Sequence, residues 1–473
     1  MKNKIISVLL LLVLSITTAF SAPTEIVRAA EAEEQLKVDL WAVPDIVTGS
    51  TYGIYPDQLF YTDLTKNVTL GKLYLMISGV RCKIIESGSA TEKDELNLDL
   101  GYTITVEDVL NAFYTILTGY EYKTDIGLNS GQSGVEFMKQ HGIYTGGNGE
   151  QAITDRCTYE QALVIATRLI TYLYDTLGTA GKGFLWQVKA RNNTVYLLGS
   201  IHMASYSIYP FSNTILQDFF NSDALIVEAN LLDQVDLQAF SALVYYTDGT
   251  SLKDHLSADT YQRVVEAAAF MGLSEEITNY LKPWYLYLLF ENYLASSSDS
   301  SSNQIAADLG IDMTLLNYAT LYQKPVYAIE GLEGQAKILE SFSAGLQEYL
   351  LSQDLDAMDA LLRGEAATDT GEYIELLLQY WHDGNIEGFQ ELNQTDASSM
   401  DGLSDEELAY YNEYQEKFFA GRDQNMAEYI DRLLKSEGSN TYFVVVGSAH
   451  YISNYSVLDR LEEMGYEVKP VEQ

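Results

Sequence analysis

Histidine is scarce in this chain: only five occur in 473 residues, at 141, 202, 255, 382 and 450. Cysteine is scarcer. Cys82 and Cys157 are the only two, and neither has a Cys or His at ligand spacing, which argues against a cysteine-based metal site or a catalytic thiol. Outside the cytoplasm the two could pair. Basic residues are in deficit, with 28 Lys and Arg against 67 Asp and Glu, for a formal net charge of −39. That balance removes the basic footprint nucleic-acid binding needs and leaves a solvated acidic surface. After the N-terminus, no apolar run reaches the ~18 residues of a membrane span.

The chain begins with a targeting pattern. Lys2 and Lys4 precede an apolar stretch from Ile5 to Ala19, and Ala19-Phe20-Ser21 fits a small-x-small cleavage site. A signal peptide is expected over 1–21, with Ala30-Glu31-Ala32 as a later alternative ending at 32. No cysteine follows, which speaks against a lipoprotein anchor. The mature protein is expected to be secreted or cell-envelope associated, with no transmembrane span.

Residues 33–177 read as a small, mostly helical region. Leu73 to Ile77 and Val80 to Ile85 suggest a hairpin turning at Ser78-Gly79. Val106, Val109, Leu110, Phe113 and Ile116 recur at helical spacing behind Thr105 and Asp108, close to a capping box. A second amphipathic helix starts at Thr158-Tyr159-Glu160. The order helix, Gly142-Ile143, glycine turn, then Thr-x-Glu-x-Ala resembles degenerate S-layer homology repeats, which implies a cell-wall polymer as a partner. Residues 178–183 are glycine-rich and read as a linker. From 184 to 473, strand-like runs alternate with long helical stretches, which predicts an α/β domain with a largely parallel sheet flanked by helices.

The chemistry concentrates in one repeated phrase. Val195 to Leu198 leads into Gly199-Ser200-Ile201-His202, and Val444 to Val446 leads into Gly447-Ser448-Ala449-His450. Each is an apolar run of strand length ending in a turn. Two more runs end in carboxylates: Ala224 to Val227 before Glu228, and Pro325 to Ile329 before Glu330. If these strands are parallel neighbours, their C-terminal ends converge on one crevice, where open α/β sheets bind ligands. Two imidazoles and two carboxylates there suit Zn, Mn or Co, or an acid/base set working without metal. The glycine permits a sharp turn, and the serine can bond a neighbouring backbone group. Neither phrase has the G-x-S-x-G pattern of a nucleophile elbow. His141, His255 and His382 lie in polar or loop-like surroundings and read as surface residues.

At these residues the segment 184–473 resembles the TraB/GumN family, related to the Tiki proteins. The paired G-x-x-H motifs carry the resemblance. So do Val227-Glu228-Ala229-Asn230, Leu281-Lys282-Pro283-Trp284, Gly310-Ile311-Asp312, Lys324-Pro325-Val326 through Glu330 and Gln335, and Arg422 with Met426-Ala427. Asp423 stands where the family pattern has Asn, and Ser453-Asn454-Tyr455 where it has a Gly. The resemblance implies a fold related to ChaN and erythromycin esterase-like proteins, and a metallopeptidase acting on peptide or protein substrates.

These residues compose the expected site. His202 and His450 bind a divalent metal, with Glu228 as third ligand or general base acting on an activated water. Glu330 is a further catalytic carboxylate, Arg422 a stabiliser of the developing oxyanion, and Asp312 a carboxylate that orients an imidazole. Two alternatives stay open: a metal-free, esterase-like hydrolase using a His base, and a non-catalytic envelope protein that binds a peptide.

Overall fold

The computed structural model describes residues 37–473 apart from 57–61, 94–97, 99, 147–151, 298–304, 366–369 and 394–402. The expected signal peptide lies outside the described residues. The described chain forms two compact units. One comprises the residues up to Gly181 together with Tyr206–Asn213, the other Lys182–Ser205 with Thr214–Gln473.

The first unit is mainly helical, with helices α1 (Leu70–Glu86), α2 (Val106–Thr118), α3 (Gly134–Gln140) and α4 (Tyr159–Leu177). Reciprocal capping boxes open α2, α3 and α4, at Thr105/Asp108, Ser133/Glu136 and Thr158/Gln161. Each satisfies two otherwise orphaned backbone donors. A short antiparallel ribbon pairs β1 (Ala90–Glu92) with β2 (Tyr120–Tyr122).

The expected hairpin over 73–85 is not there; α1 occupies those residues. Leu73, Met76, Ile77, Val80 and Ile84 are buried at helical spacing, so the period is 3.6 rather than 2. Gly79 is a packing glycine, not a turn. A Cβ there would collide with the Ile54 carbonyl oxygen, so the backbone of Ile54 crosses the helix where only glycine fits. Both cysteines are free, Cys157 buried and Cys82 exposed.

The second unit is α/β. Its sheet contains β3 (Phe184–Ala190), β4 (Asn193–Ser200), β5 (Ala224–Val227), β6 (Val326–Ala328), β7 (Thr441–Gly447) and β8 (Val468–Pro470) in the order β6-β5-β7-β4-β3-β8. Strands β6, β5, β7 and β4 run parallel; β3 runs opposite to them and pairs antiparallel with both β4 and β8. All four β5 residues are buried, as are the last five of β7, as expected of strands covered on both faces by helices. Strand β6 differs from the buried strand expected there. It pairs only with β5, forms the sheet edge, and leaves Tyr327 54% exposed.

Helices α5 (Pro283–Ser297), α6 (Ile311–Leu321), α7 (Gly331–Glu340), α8 (Ala344–Leu362), α9 (Ile386–Asn393), α10 (Asp405–Tyr414), α11 (Gly421–Lys435) and α12 (Ser448–Ile452) complete what the site needs. A π-helical turn, Gln415–Ala420, joins α10 to α11.

One pair in this helical layer runs against simple burial rules. Glu291 on α5 and Asp354 on α8 are both buried, and each has a carboxyl oxygen without a hydrogen-bond partner. The Tyr414 hydroxyl is buried and unpartnered as well. Burial pushes Glu291 up from 4.5 to about 7, and burial with the Glu291 charge raises Asp354 well above the carboxylate range. Folding therefore favours the protonated forms. The pair's contribution to stability is full below the unfolded values of 3.8 and 4.5 and falls as pH rises through the native values. The expected result is that Asp354→Asn gains about 2 kcal/mol on wild type between pH 6 and pH 8. Urea midpoints at both pH values check it; parallel pH profiles for the two proteins would refute it.

Candidate functional site

The register of β4 on β7 places Ser200 opposite Gly447, and that of β5 on β7 places Val227 opposite Val445. The two histidine phrases therefore leave adjacent parallel strands side by side, and Glu228 leaves the next strand at the same end. The Ser448 hydroxyl donates to the Ser200 carbonyl oxygen at 3.0 Å, tying the phrases together. Glu330 lies just past β6 and stands at the N-cap of α7. Its backbone N–H, like that of Gly331, donates to the Glu228 carbonyl oxygen. All four strand ends named by the sequence thus meet at one end of the sheet.

Each histidine is oriented by a carboxylate. His202 Nδ1 lies 2.8 Å from Asp312 Oδ1, and His450 Nδ1 lies 2.5 Å from Asp423 Oδ1. Asp312 lies in the first turn of α6, and Gly310 makes its approach possible. A Cβ at 310 would collide with the His202 carbonyl oxygen. The other imidazole nitrogen, Nε2, is buried and without a hydrogen-bond partner in both residues. Burial opposes charge on the His202 ring, but Asp312 and then Glu228 outweigh it and raise the pKa.

The carboxylates are clamped from α11 and α7. Arg422 Nε lies 2.9 Å from Glu330 Oε1. Its Nη2 donates to Glu228 Oε2 at 2.6 Å and to Glu330 Oε2 at 2.9 Å. Gln335 Nε2 donates to Glu228 Oε2 at 3.0 Å, and the Gly447 backbone N–H to Glu228 Oε1 at 2.5 Å. Glu228 Oε1 is also 4.0 Å from His450 Nε2. Burial would raise the Glu228 pKa, yet Arg422 and then the two imidazoles hold it down at about 2. Burial likewise opposes the Arg422 charge, and its two carboxylate partners more than restore it. Arg422 CZ sits 4.9 Å from the centre of the Phe418 ring, on the π-turn. Such turns recur at functional sites because the extra residue re-aims the helix beyond it; here that helix opens with Arg422 and Asp423 in its first turn.

A divalent metal fits part of this arrangement. Two buried Nε2 atoms without partners, each backed by a carboxylate on Nδ1, form the usual donor pattern of metal-ligating histidines. Glu228 fits less well as third ligand, since both its oxygens already accept hydrogen bonds. Among the described residues, no group of three or more His, Cys, Asp or Glu side chains is disposed to hold a metal ion.

The structure brings together His202, His450, Glu228, Glu330, Arg422 and Asp312. The other histidines stand apart. His255 is exposed and stacks on Tyr246, whereas His141 and His382 are half-buried; His141 packs between Phe137 and Tyr172. Two residues of the site carried no role in the sequence pattern, Gln335 and Asp423. Asp423 stood out only as a departure from that pattern. The readable signal was its place beside Arg422 in an apolar-striped helix, where a carboxylate facing inward needs a partner.

Fold and site together define an open α/β protein with a buried cluster of paired histidines and paired carboxylates at the parallel strand ends. Residues 184–470 match the model of the TraB/PrgY/gumN family, and the chain belongs to that family. Relatives include "Metalloprotease TIKI homolog" of Nematostella vectensis, 23% identical over 323 residues, covering 61% of this chain and 67% of that protein. "Metalloprotease TIKI1" of Danio rerio is 22% identical over 316 residues, covering 60% and 62%. "Uncharacterized protein YbaP" of Escherichia coli is 28% identical over 152 residues, covering 31% and 52%. The chain thus spans between about half and two thirds of the length of these relatives. No solved structure matches it. Among the described residues, no helix is long and apolar enough to cross a membrane.

Proposed function

We propose that this protein is an exported, metal-dependent hydrolase of peptides, with His202 and His450 as metal ligands and Glu228, Glu330 and Arg422 completing the site. The observation that carries the reading is the pair of buried, unpartnered Nε2 atoms at adjacent strand ends, each backed by a carboxylate. The metalloprotease names of the Tiki relatives support it. A divalent ion such as Zn, Mn or Co, when bound, supplies a Lewis acid and lowers the pKa of water.

The protein's own groups do the rest. Asp312 and Asp423 hold the Nδ1 protons, so each ring presents Nε2 to the crevice. Glu228 is the carboxylate beside His450 Nε2 and accepts a proton from the attacking water, a step its low pKa keeps transient. Arg422 fixes Glu228 and Glu330 in place and keeps the Glu228 carboxylate charged. As for location, the N-terminal apolar segment directs export, and the helical unit, with its S-layer-like motif order, docks to cell-wall polymer.

The lack of a grouped third ligand among the described residues favours one second reading, a metal-free hydrolase using a His base. Elemental analysis of purified protein separates the two. Near-stoichiometric metal in wild type, lost in His202→Ala and His450→Ala variants that stay folded, is the expected result. A wild type that stays empty and takes up no added Zn, Mn or Co overturns the metal reading. Peptide hydrolysis surviving a chelator would then point to the second.

A further inference from the structure

Next to the crevice lies a cavity the proposed chemistry does not use. It has a volume of about 150 Å³ and sits between α9, the π-turn and α12. Phe419 links it to the site: its ring lines the cavity and its centroid is 5.5 Å from that of His450. Ala449, the residue before His450, lines it too.

We propose that this cavity is a substrate subsite that takes one uncharged side chain of roughly leucine to tyrosine size from a peptide. The inference rests on the peptide-hydrolase reading and adds the substrate class.

Three observations support it. First, size: a cavity of about 150 Å³ is large enough to hold a benzene ring. Second, charge. In a chain of net charge −39, none of the described lining residues is charged. An ionised side chain entering would give up its hydration without an ionic partner, whereas a neutral one would not. Third, an unmet polar group. Ser453 Oγ lines the cavity, is buried, and has no hydrogen-bond partner. Two of the lining amides are already engaged, Gln390 donating to the Ile452 carbonyl oxygen and Asn393 accepting from the Tyr373 hydroxyl. The Ser453 hydroxyl is therefore available to a polar tip such as a tyrosine hydroxyl. The loop is held in shape by Tyr455, whose φ of 60° is uncommon for a residue with a side chain.

The test uses the full chain, metal-loaded, on a peptide library digested from a whole proteome, with cut sites read by mass spectrometry. One position near the scissile bond is expected to favour Leu, Met, Phe and Tyr over Asp, Glu, Lys and Arg by at least about tenfold. Ser453→Trp, which fills the cavity, should move that preference toward Gly and Ala. Gln415→Glu, which adds a carboxylate to the wall, should move it toward Lys and Arg. A variant that merely damages the fold lowers all rates without moving the preference. Cleavage with no positional preference, or a preference unmoved in both variants, overturns the subsite. If no peptide is cut, the hydrolase reading fails and the cavity is judged by binding. N-acetyl-phenylalanine amide found in it by crystal soaking upholds the subsite, and its absence there overturns it.

Discussion

Arg422→Ala is expected to destabilise the protein by about 3–5 kcal/mol and to abolish the proposed hydrolysis, because it strands two buried carboxylates without their cation. Glu228 and Glu330 are 4% and 8% exposed at their side chains, and the guanidinium between them is 2% exposed. One planar group serves both, with Nε and Nη2 on Glu330 and the same Nη2 on Glu228. Water cannot replace it at that depth. Arg422→Lys separates charge from geometry, since a lysine ammonium keeps the charge but cannot span two carboxylates as a rigid fork. It should recover much of the stability and little of the activity. Urea unfolding at fixed metal concentration, with kcat/KM on a cleaved peptide, reads both effects. A stable, active Arg422→Ala protein would show that the clamp is dispensable.

On the proposed mechanism, Glu228→Gln should lower kcat by at least about a hundredfold, the lower range for a group that handles a proton in the transition state. The amide keeps the shape and can still accept from Gly447 N–H. A wild-type rate in this variant would remove the carboxylate from the chemistry. The same residue contributes to acid stability. Its pKa falls from 4.5 to about 2 on folding, so the unfolded chain binds the extra proton. Its contribution is present above pH 4.5 and lost as pH falls toward 2; at roughly 1.4 kcal/mol per unit it amounts to about 3 kcal/mol. Glu228→Gln should therefore flatten the decline of the urea midpoint between pH 5 and pH 3. A decline as steep as in wild type would place acid sensitivity elsewhere.

Much of this site was legible in one dimension. Apolar runs of strand length ending in His202, Glu228, Glu330 and His450 announced the strands and the residues that stand at their ends. A side chain just past a buried parallel strand has few places to point. The helical period of α2 and α4 and their capping residues were equally readable, because caps and periodicity are local. The hairpin expected over 73–85 failed for a non-local reason. Ser78-Gly79 looks like a turn, and only the crossing of Ile54 shows why a glycine sits mid-helix. Strand β6 formed where expected but is not buried, because an apolar run does not reveal that it lies at a sheet edge.

Asp423 and Gln335 show the same limit at the site. Nothing in the order of residues says that α11 turns its first residues toward His450, or that α7 brings Gln335 to Glu228. The π-turn and the adjacency of β5, β7 and β4 decide those contacts. The sequence by itself determined which side chains could do chemistry and that they stand at strand ends, because period and composition are properties of neighbours along the chain. The tertiary structure alone decided which carboxylate orients which histidine, that one arginine holds two glutamates, and that an uncharged cavity lies one ring away. Those contacts join residues far apart in the chain and depend on strand order and helix rotation, which no local pattern encodes.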